Sequence, residues 1–102
     1  PARRHPAVSD VYRALADPTR RAILDELCER DGQSLFELCG RLAMIHGIGS
    51  SRQAVSQHLA LLIEAGLVHT ERRGRTRLHW FDGRPLQAIA ERWPTRHRKG
   101  RQ

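Results

Sequence analysis

The sequence is short of several things, and each shortage excludes a class of protein. It has two cysteines, Cys28 and Cys39, too few for the disulfide framework of a small secreted domain. No apolar run approaches the roughly 20 residues needed to cross a bilayer. The opening PARRHPAVSD lacks the apolar core of a signal peptide. The chain is therefore expected to be soluble and cytoplasmic, with no membrane partner. It also lacks a nucleophile elbow, a glycine-rich phosphate loop and carboxylates paired in a plausible cleft. Neither an enzymatic activity nor a cofactor is expected.

Acid is scarce in only one half. Residues 1–49 carry seven Lys/Arg and seven Asp/Glu, whereas residues 50–102 carry eleven against four, so the net charge of +7 lies wholly in the second half. A polarised basic excess suits a polyanion, because each phosphate neutralised releases condensed counterions. Four of these basic residues lie in the tail Arg96–Arg101 and another four crowd into residues 72–77. With 102 residues there is room for one domain. A hydrophobic fraction of 39% builds a thin core for a monomer of this size, which points to help from a second subunit.

Periodicity and punctuation give the order of elements. A first helix opens near Ser9 or Asp10 with Val11, Tyr12 and Leu15 on its apolar side. It stops at Asp17-Pro18, an N-cap followed by a proline suited to the first helical position. The second helix places Ile23, Leu24, Leu27 and Cys28 at helical spacing and ends at Asp31-Gly32. Ser34-Leu35-Phe36-Glu37 is a capping box for a third helix, with Leu35, Leu38, Cys39 and Leu42 as its buried stripe. An extended loop is expected over 44–50, made mobile by Gly47 and Gly49. Ser50 or Ser51 caps a fourth helix that buries Val55, Leu59, Leu62 and Ile63, with Gly66 past its end. Two β-prone runs, 67–71 and 76–81, flank Arg72-Arg73-Gly74-Arg75, a hairpin signal. Pro85 opens a last helix with Leu86, Ile89, Ala90 and Trp93 along one side. The expected fold is mostly α (α+β), a winged helix-turn-helix with five helices and a two-stranded hairpin between the fourth and fifth. Residues 1–8 are expected to form a flexible arm, 9–93 the DNA-binding and dimerisation domain, and 94–102 a basic disordered tail.

Burying one face of the fourth helix turns Arg52, Gln53, Ser56 and Gln57 outward within its first two turns, where a recognition helix meets base edges. Arginine pairs with guanine, glutamine with adenine, and serine with several edges. The helix start at Ser51 offers free N–H groups to a phosphate. Beside it, Arg72, Arg73, Arg75 and Arg77 repel one another unless an anion neutralises them. Arg73, Arg75 and Arg77 are assigned to DNA, with the tip pair, Arg73 and Arg75, as the firmer contacts. His69 and His79 read as ordinary exposed or pairing strand residues.

Two stretches resemble the ArsR/SmtB family of bacterial repressors. Tyr12–Leu27, YRALADPTRRAILDEL, is similar to the opening signature of that family; Ser51–Val68, SRQAVSQHLALLIEAGLV, is similar to its recognition helix and exit into the wing. The resemblance covers roughly residues 8–93. It implies operator binding with one recognition helix per half-site and release by a signal, such as a small-molecule inducer of unknown identity. It also implies a homodimer built from the first and last helices, which would engage Val11, Tyr12, Leu15, Leu86, Ile89 and Trp93. His58 falls at the histidine position of the family, where bracing the helix or touching a DNA phosphate is preferred over reading a base. Metal-sensing members carry a Cys-x-Cys pair before the recognition helix or Asp/His ligands on the last helix. This sequence has only Cys39 at the first position and neither His nor Cys within 85–93, so no metal site is expected and the non-metal branch is the closer likeness. Cys28 and Cys39 are expected in the core. A sequence-indifferent nucleic-acid binder and a protein-interaction winged helix are the alternative readings.

Overall fold

Asp17 ends one helix and starts the next. In the computed structural model, which describes residues 8–95, α1 spans Val8–Leu15 and α2 spans Pro18–Glu29. The Asp17 carboxylate accepts from the Arg20 N–H at 3.0 Å, and Pro18 fills the first turn, where no N–H is needed. Arginines of α2 in turn donate to the last carbonyls of α1: Arg20 to Arg13 and Ala14, Arg21 to Leu15. These carbonyls are the acceptors that a helix end leaves unpaired.

The capping box opens α3, Leu35–His46, with Ser34 and Glu37 bonding reciprocally at 3.1 and 2.9 Å. This helix runs further than expected. Met44, Ile45 and His46 complete its last turn, and Gly47 stops it in the left-handed conformation at φ +67°, which only glycine adopts without strain. The loop expected over 44–50 is thus shortened to the stretch after His46. Ser51 then caps α4, Arg52–Glu64. The hairpin pairs β1, Val68–Arg73, with β2, Thr76–Phe81, and α5 covers Arg84–Arg92. Arg73 faces Thr76, so the connection is only Gly74-Arg75, with Gly74 at φ +62°, the glycine-first pattern of a tight hairpin loop.

Leu27, Leu38, Leu42, Leu59 and Leu62 meet in the core with Ile23, Val55 and Leu67, so α2, α3 and α4 each lose one face to the others. Two expectations on this stripe fail. Cys28 is exposed, because the buried face of α2 runs through Ala22, Ile23, Glu26 and Leu27 and leaves residue 28 outside it. Ile63 is 39% exposed. Cys39 is partly buried against the core. On α5 no side chain is fully buried; Leu86 and Ile89 rest partly on the core and Trp93 stays exposed. The expected arm at 1–8 and tail at 94–102 lie outside the described residues except for Val8, Pro94 and Thr95.

Two features were not foreseen. Gln33, in the α2–α3 turn, forms an antiparallel bridge with His79, so the hairpin is stitched to the helical body along one edge. Gln33 is itself only 1% exposed, and its amide donates to Glu26 at 3.0 Å. Glu26 is a buried carboxylate that also receives Arg41 and His46 from α3. Burial alone would raise its pKa, but the bonds from Arg41, Gln33 and His46 outweigh burial and hold it below the ordinary glutamate value.

A depressed folded-state pKa contributes stability that is complete above the unfolded value of 4.5 and is lost as pH falls through the folded one. Glu26→Ala should therefore destabilise the fold by about 3–5 kcal/mol at neutral pH. In urea titrations the gap between the native protein and Glu26→Gln should close as the pH drops below 4.5; a gap independent of pH would show that the charge contributes nothing.

Candidate nucleic-acid interface

The outward face of α4 is set by what the inward face buries. Val55, Leu59 and Leu62 are buried, which leaves Ser51, Arg52, Gln53, Ser56 and Gln57 exposed over the first two turns. The Ser51 hydroxyl accepts from the Ala54 N–H at 3.1 Å, fixing the start of the helix and orienting its remaining first-turn N–H groups outward. A polar, hydrogen-bonding helix tip results.

The register of the hairpin sorts the arginines. Arg72 and Arg77 stand directly opposite each other, on the same face as Val68 and His79 by strand alternation. Arg73 lies on the other face, 3.2 Å from Glu71, and Arg75 sits in the turn. All four are exposed. Like charges directly across a ladder destabilise a sheet, so the Arg72–Arg77 pair costs the isolated molecule stability unless an anion lies between them.

The two halves of the surface meet in one groove of about 430 Å³. Its walls include Ser56, Ala60 and Ile63 from α4, Ser34 and Phe36 from the start of α3, and Arg75 and Arg77 from the hairpin. Of the expected DNA contacts, Ser56, Arg75 and Arg77 line this groove, while Ser51, Arg52, Gln53, Gln57 and Arg73 do not, and no carboxylate is among the residues that line it.

His58 points elsewhere. Its Nδ1 accepts from Arg20 at 3.1 Å and its Nε2 lies 4.0 Å from Asp17. Because a guanidinium only donates, Nδ1 is the acceptor here, and the ring ties α4 to the α1–α2 junction. Arg20 was missed in the sequence; its place one turn after the Asp17 cap was the available signal. His79, read as an ordinary strand residue, is 5% exposed and lines the groove floor, with Nδ1 2.9 Å from the Gln33 carbonyl. Of the residues expected at a dimer contact, Val11 is spent in the core of its own subunit at 3% exposure. Leu15, Leu86 and Ile89 are partly buried against that core, while Tyr12 and Trp93 are exposed.

The two thiols lie on different helices, Cys28 on α2 and Cys39 on α3. Burial, helped by Asp25, Asp31 and Glu29, raises the Cys28 pKa; burial raises that of Cys39 against the opposing pull of Arg52. Among the described residues no group of three or more His, Cys, Asp or Glu side chains could hold a metal ion.

A family model described as a helix-turn-helix domain matches residues 15–71. Over 83 residues the chain is 42% identical to the HTH-type transcriptional regulator YuzN of Bacillus subtilis (strain 168), covering 81% of this chain and 90% of that one. It is also 42% identical over 69 residues to the HTH-type transcriptional regulator KmtR of Mycobacterium tuberculosis, covering 68% of this chain and 48% of that one. Among solved structures it is similar to an ArsR-like transcriptional regulator from Rhodococcus sp. RHA1, with a TM-score of 0.71 and 35% identity over 83% of this chain and 74% of the other.

Relief of the arginine pair separates stability from binding. Arg77→Thr should raise the melting temperature slightly, since it removes a like-charge ladder pair, and should weaken binding to duplex DNA in a fluorescence-anisotropy titration. A loss of both stability and binding would mean that the Arg72–Arg77 contact is not repulsive.

Proposed function

Because the chain belongs to the ArsR family of winged helix-turn-helix transcriptional regulators, we propose that it is a homodimeric repressor that binds a palindromic operator and is released by a signal. The observation that carries this reading is the shared groove. Ser56 from the recognition helix and Arg75 and Arg77 from the wing line one cleft, so a single duplex can engage both at once.

In this reading α4 enters the major groove. Arg52, Gln53, Ser56 and Gln57 read base edges, and the α4 N-terminus at Ser51 takes a backbone phosphate. The wing lies on the flanking backbone or minor groove through Arg75 and Arg77, with Arg73 beside them once it leaves Glu71. His58 acts by holding α4 against Arg20 and Asp17 rather than by reading a base. Gln57→Ala or Gln53→Ala should then relax specificity at one base pair at a cost of about 1–3 kcal/mol, whereas Arg75→Ala should weaken all sequences alike. The measurement is affinity for a genome-selected fragment against random duplex at fixed salt. A ratio of roughly 1,000 or more supports the repressor, and a ratio near unity makes the protein a sequence-indifferent binder.

The dimer would form across α1 and α5. Tyr12 at 47% and Trp93 at 59% exposure are large apolar side chains left in solvent by the single chain, and Leu86 and Ile89 are covered only in part. Trp93→Asp should convert a dimer to a monomer in sedimentation equilibrium and lower operator affinity, because the two half-sites would no longer be held at a fixed spacing. A native protein that sediments as a monomer at micromolar concentration would remove the dimer from the proposal. The releasing signal is read as something other than a thiolate-held metal, since among the described residues no group of three or more His, Cys, Asp or Glu side chains could hold one.

A further inference from the structure

His79 carries an unused nitrogen into the groove. Its Nδ1 faces the Gln33 carbonyl at 2.9 Å. A carbonyl oxygen only accepts, so Nδ1 must hold a hydrogen. In a neutral ring Nε2 is then bare. The residue is 5% exposed, yet it lines the same groove as Ser34, Ser56, Arg75 and Arg77. At the groove wall the first turn of α3 also brings backbone N–H groups that no intrahelical acceptor can use, at Leu35 and Phe36.

We propose that this groove seats a phosphate group and that seating it places a proton on His79 Nε2. Bare Nε2 and a phosphate oxygen each present a lone pair and repel. A hydrogen reaches Nε2 in two ways. Moving the one on Nδ1 would set two lone pairs against each other at Gln33, where the hairpin is held to the body. Taking a proton from solvent keeps that bond and adds a donor, giving an imidazolium against the phosphate. The second route costs less, because it avoids that lone-pair clash at the Gln33 carbonyl, which also accepts the His79 backbone N–H at 2.8 Å.

The surroundings agree. Arg77 on its own strand, Arg75 in the turn and Arg72 across from Arg77 add positive charge. Opposite His79 on β1 stands the neutral Thr70. From α3 the carboxylate nearby is Glu37, held by the Ser34 N–H at 2.9 Å; in the α2–α3 turn Asp31 accepts from the Phe81 N–H at 2.7 Å, and behind Gln33, Glu26 is held by Arg41 and His46. The α4 wall is Ser56, Leu59, Ala60 and Ile63, none of them charged. In the empty groove burial holds the His79 pKa below 6.5; the bond to Gln33 opposes that, and Arg77 adds to it. At neutral pH and above the ring of the empty groove is therefore mostly neutral. A bound phosphate raises its pKa, so binding takes up a proton and affinity rises as pH falls between the bound and free values.

The phosphate is a backbone phosphodiester of DNA, which rests on the reading above, or free inorganic phosphate. The test uses a short duplex of random sequence, because a backbone contact does not depend on sequence. From roughly pH 8 to pH 6 the dissociation constant of the native protein should fall about three- to tenfold more than that of His79→Asn. Asparagine keeps a donor near the Nδ1 position and cannot titrate, and His46, His58 and His69 are common to both proteins. Should the variant fail to fold, the His79 Hε1 resonance of the native protein reports the same event, with its pKa moving up on adding duplex. Duplex binding with an unmoved His79 pKa, or with equal pH dependence in the variant, overturns the inference and leaves the DNA-binding reading standing. If no duplex binds but inorganic phosphate raises the His79 pKa, the phosphate seat stands and the DNA reading falls. If no duplex binds and inorganic phosphate leaves that pKa unmoved, both fall.

Discussion

The wing is useful only because Gln33 holds it still. A two-residue hairpin loop and two six-residue strands would not keep a fixed angle to a helix by themselves, since an isolated hairpin is marginal in water. Here the backbone of Gln33 bridges to His79 in both directions, its carbonyl also receives the His79 ring, and its side chain reaches down to the buried Glu26. One residue therefore links the wing, the α2–α3 turn and, through Glu26, the far end of α3. The groove between α4 and β2 has a defined shape because that chain of bonds does.

The same surface stores an electrostatic conflict. Arg72 opposes Arg77, and Arg75 sits within the same tip, while the lining of the groove offers no carboxylate to offset them. Glu71 neutralises only Arg73, on the other face and in solvent, where such a pair contributes little. A polyanion lying across the tip would offset what the folded chain leaves unresolved. The fold tolerates the repulsion because the hydrophobic core lies beneath α4, away from the tip.

Some of this was readable in advance, for identifiable reasons. The caps at Asp17 and Ser34, and that of α4 to within one residue, are legible because a cap is a bond between residues three apart. The outward set on α4 followed from a helical period of 3.6 residues applied to Val55, Leu59 and Leu62. The misreadings share a cause as well. The glycines at 47 and 49 suggested an early loop, but α3 gained a last turn because Gly47 ends it cleanly and His46 finds a partner in Glu26, twenty residues away. Cys28 sits beside an apolar stripe in the sequence but just off the face that α3 and α4 cover.

What the chain determined by itself is the set of elements, their polar and apolar sides, and the gathering of positive charge into residues 50–102, all of which arise from neighbours along the backbone. What the tertiary structure alone decided is which groups share an environment. His58 turns to Arg20 across 38 residues, and His79 is buried against Gln33 across 46. Those pairings depend on how the helices pack, and packing is a property of surfaces brought together from distant parts of the chain, which no local pattern encodes.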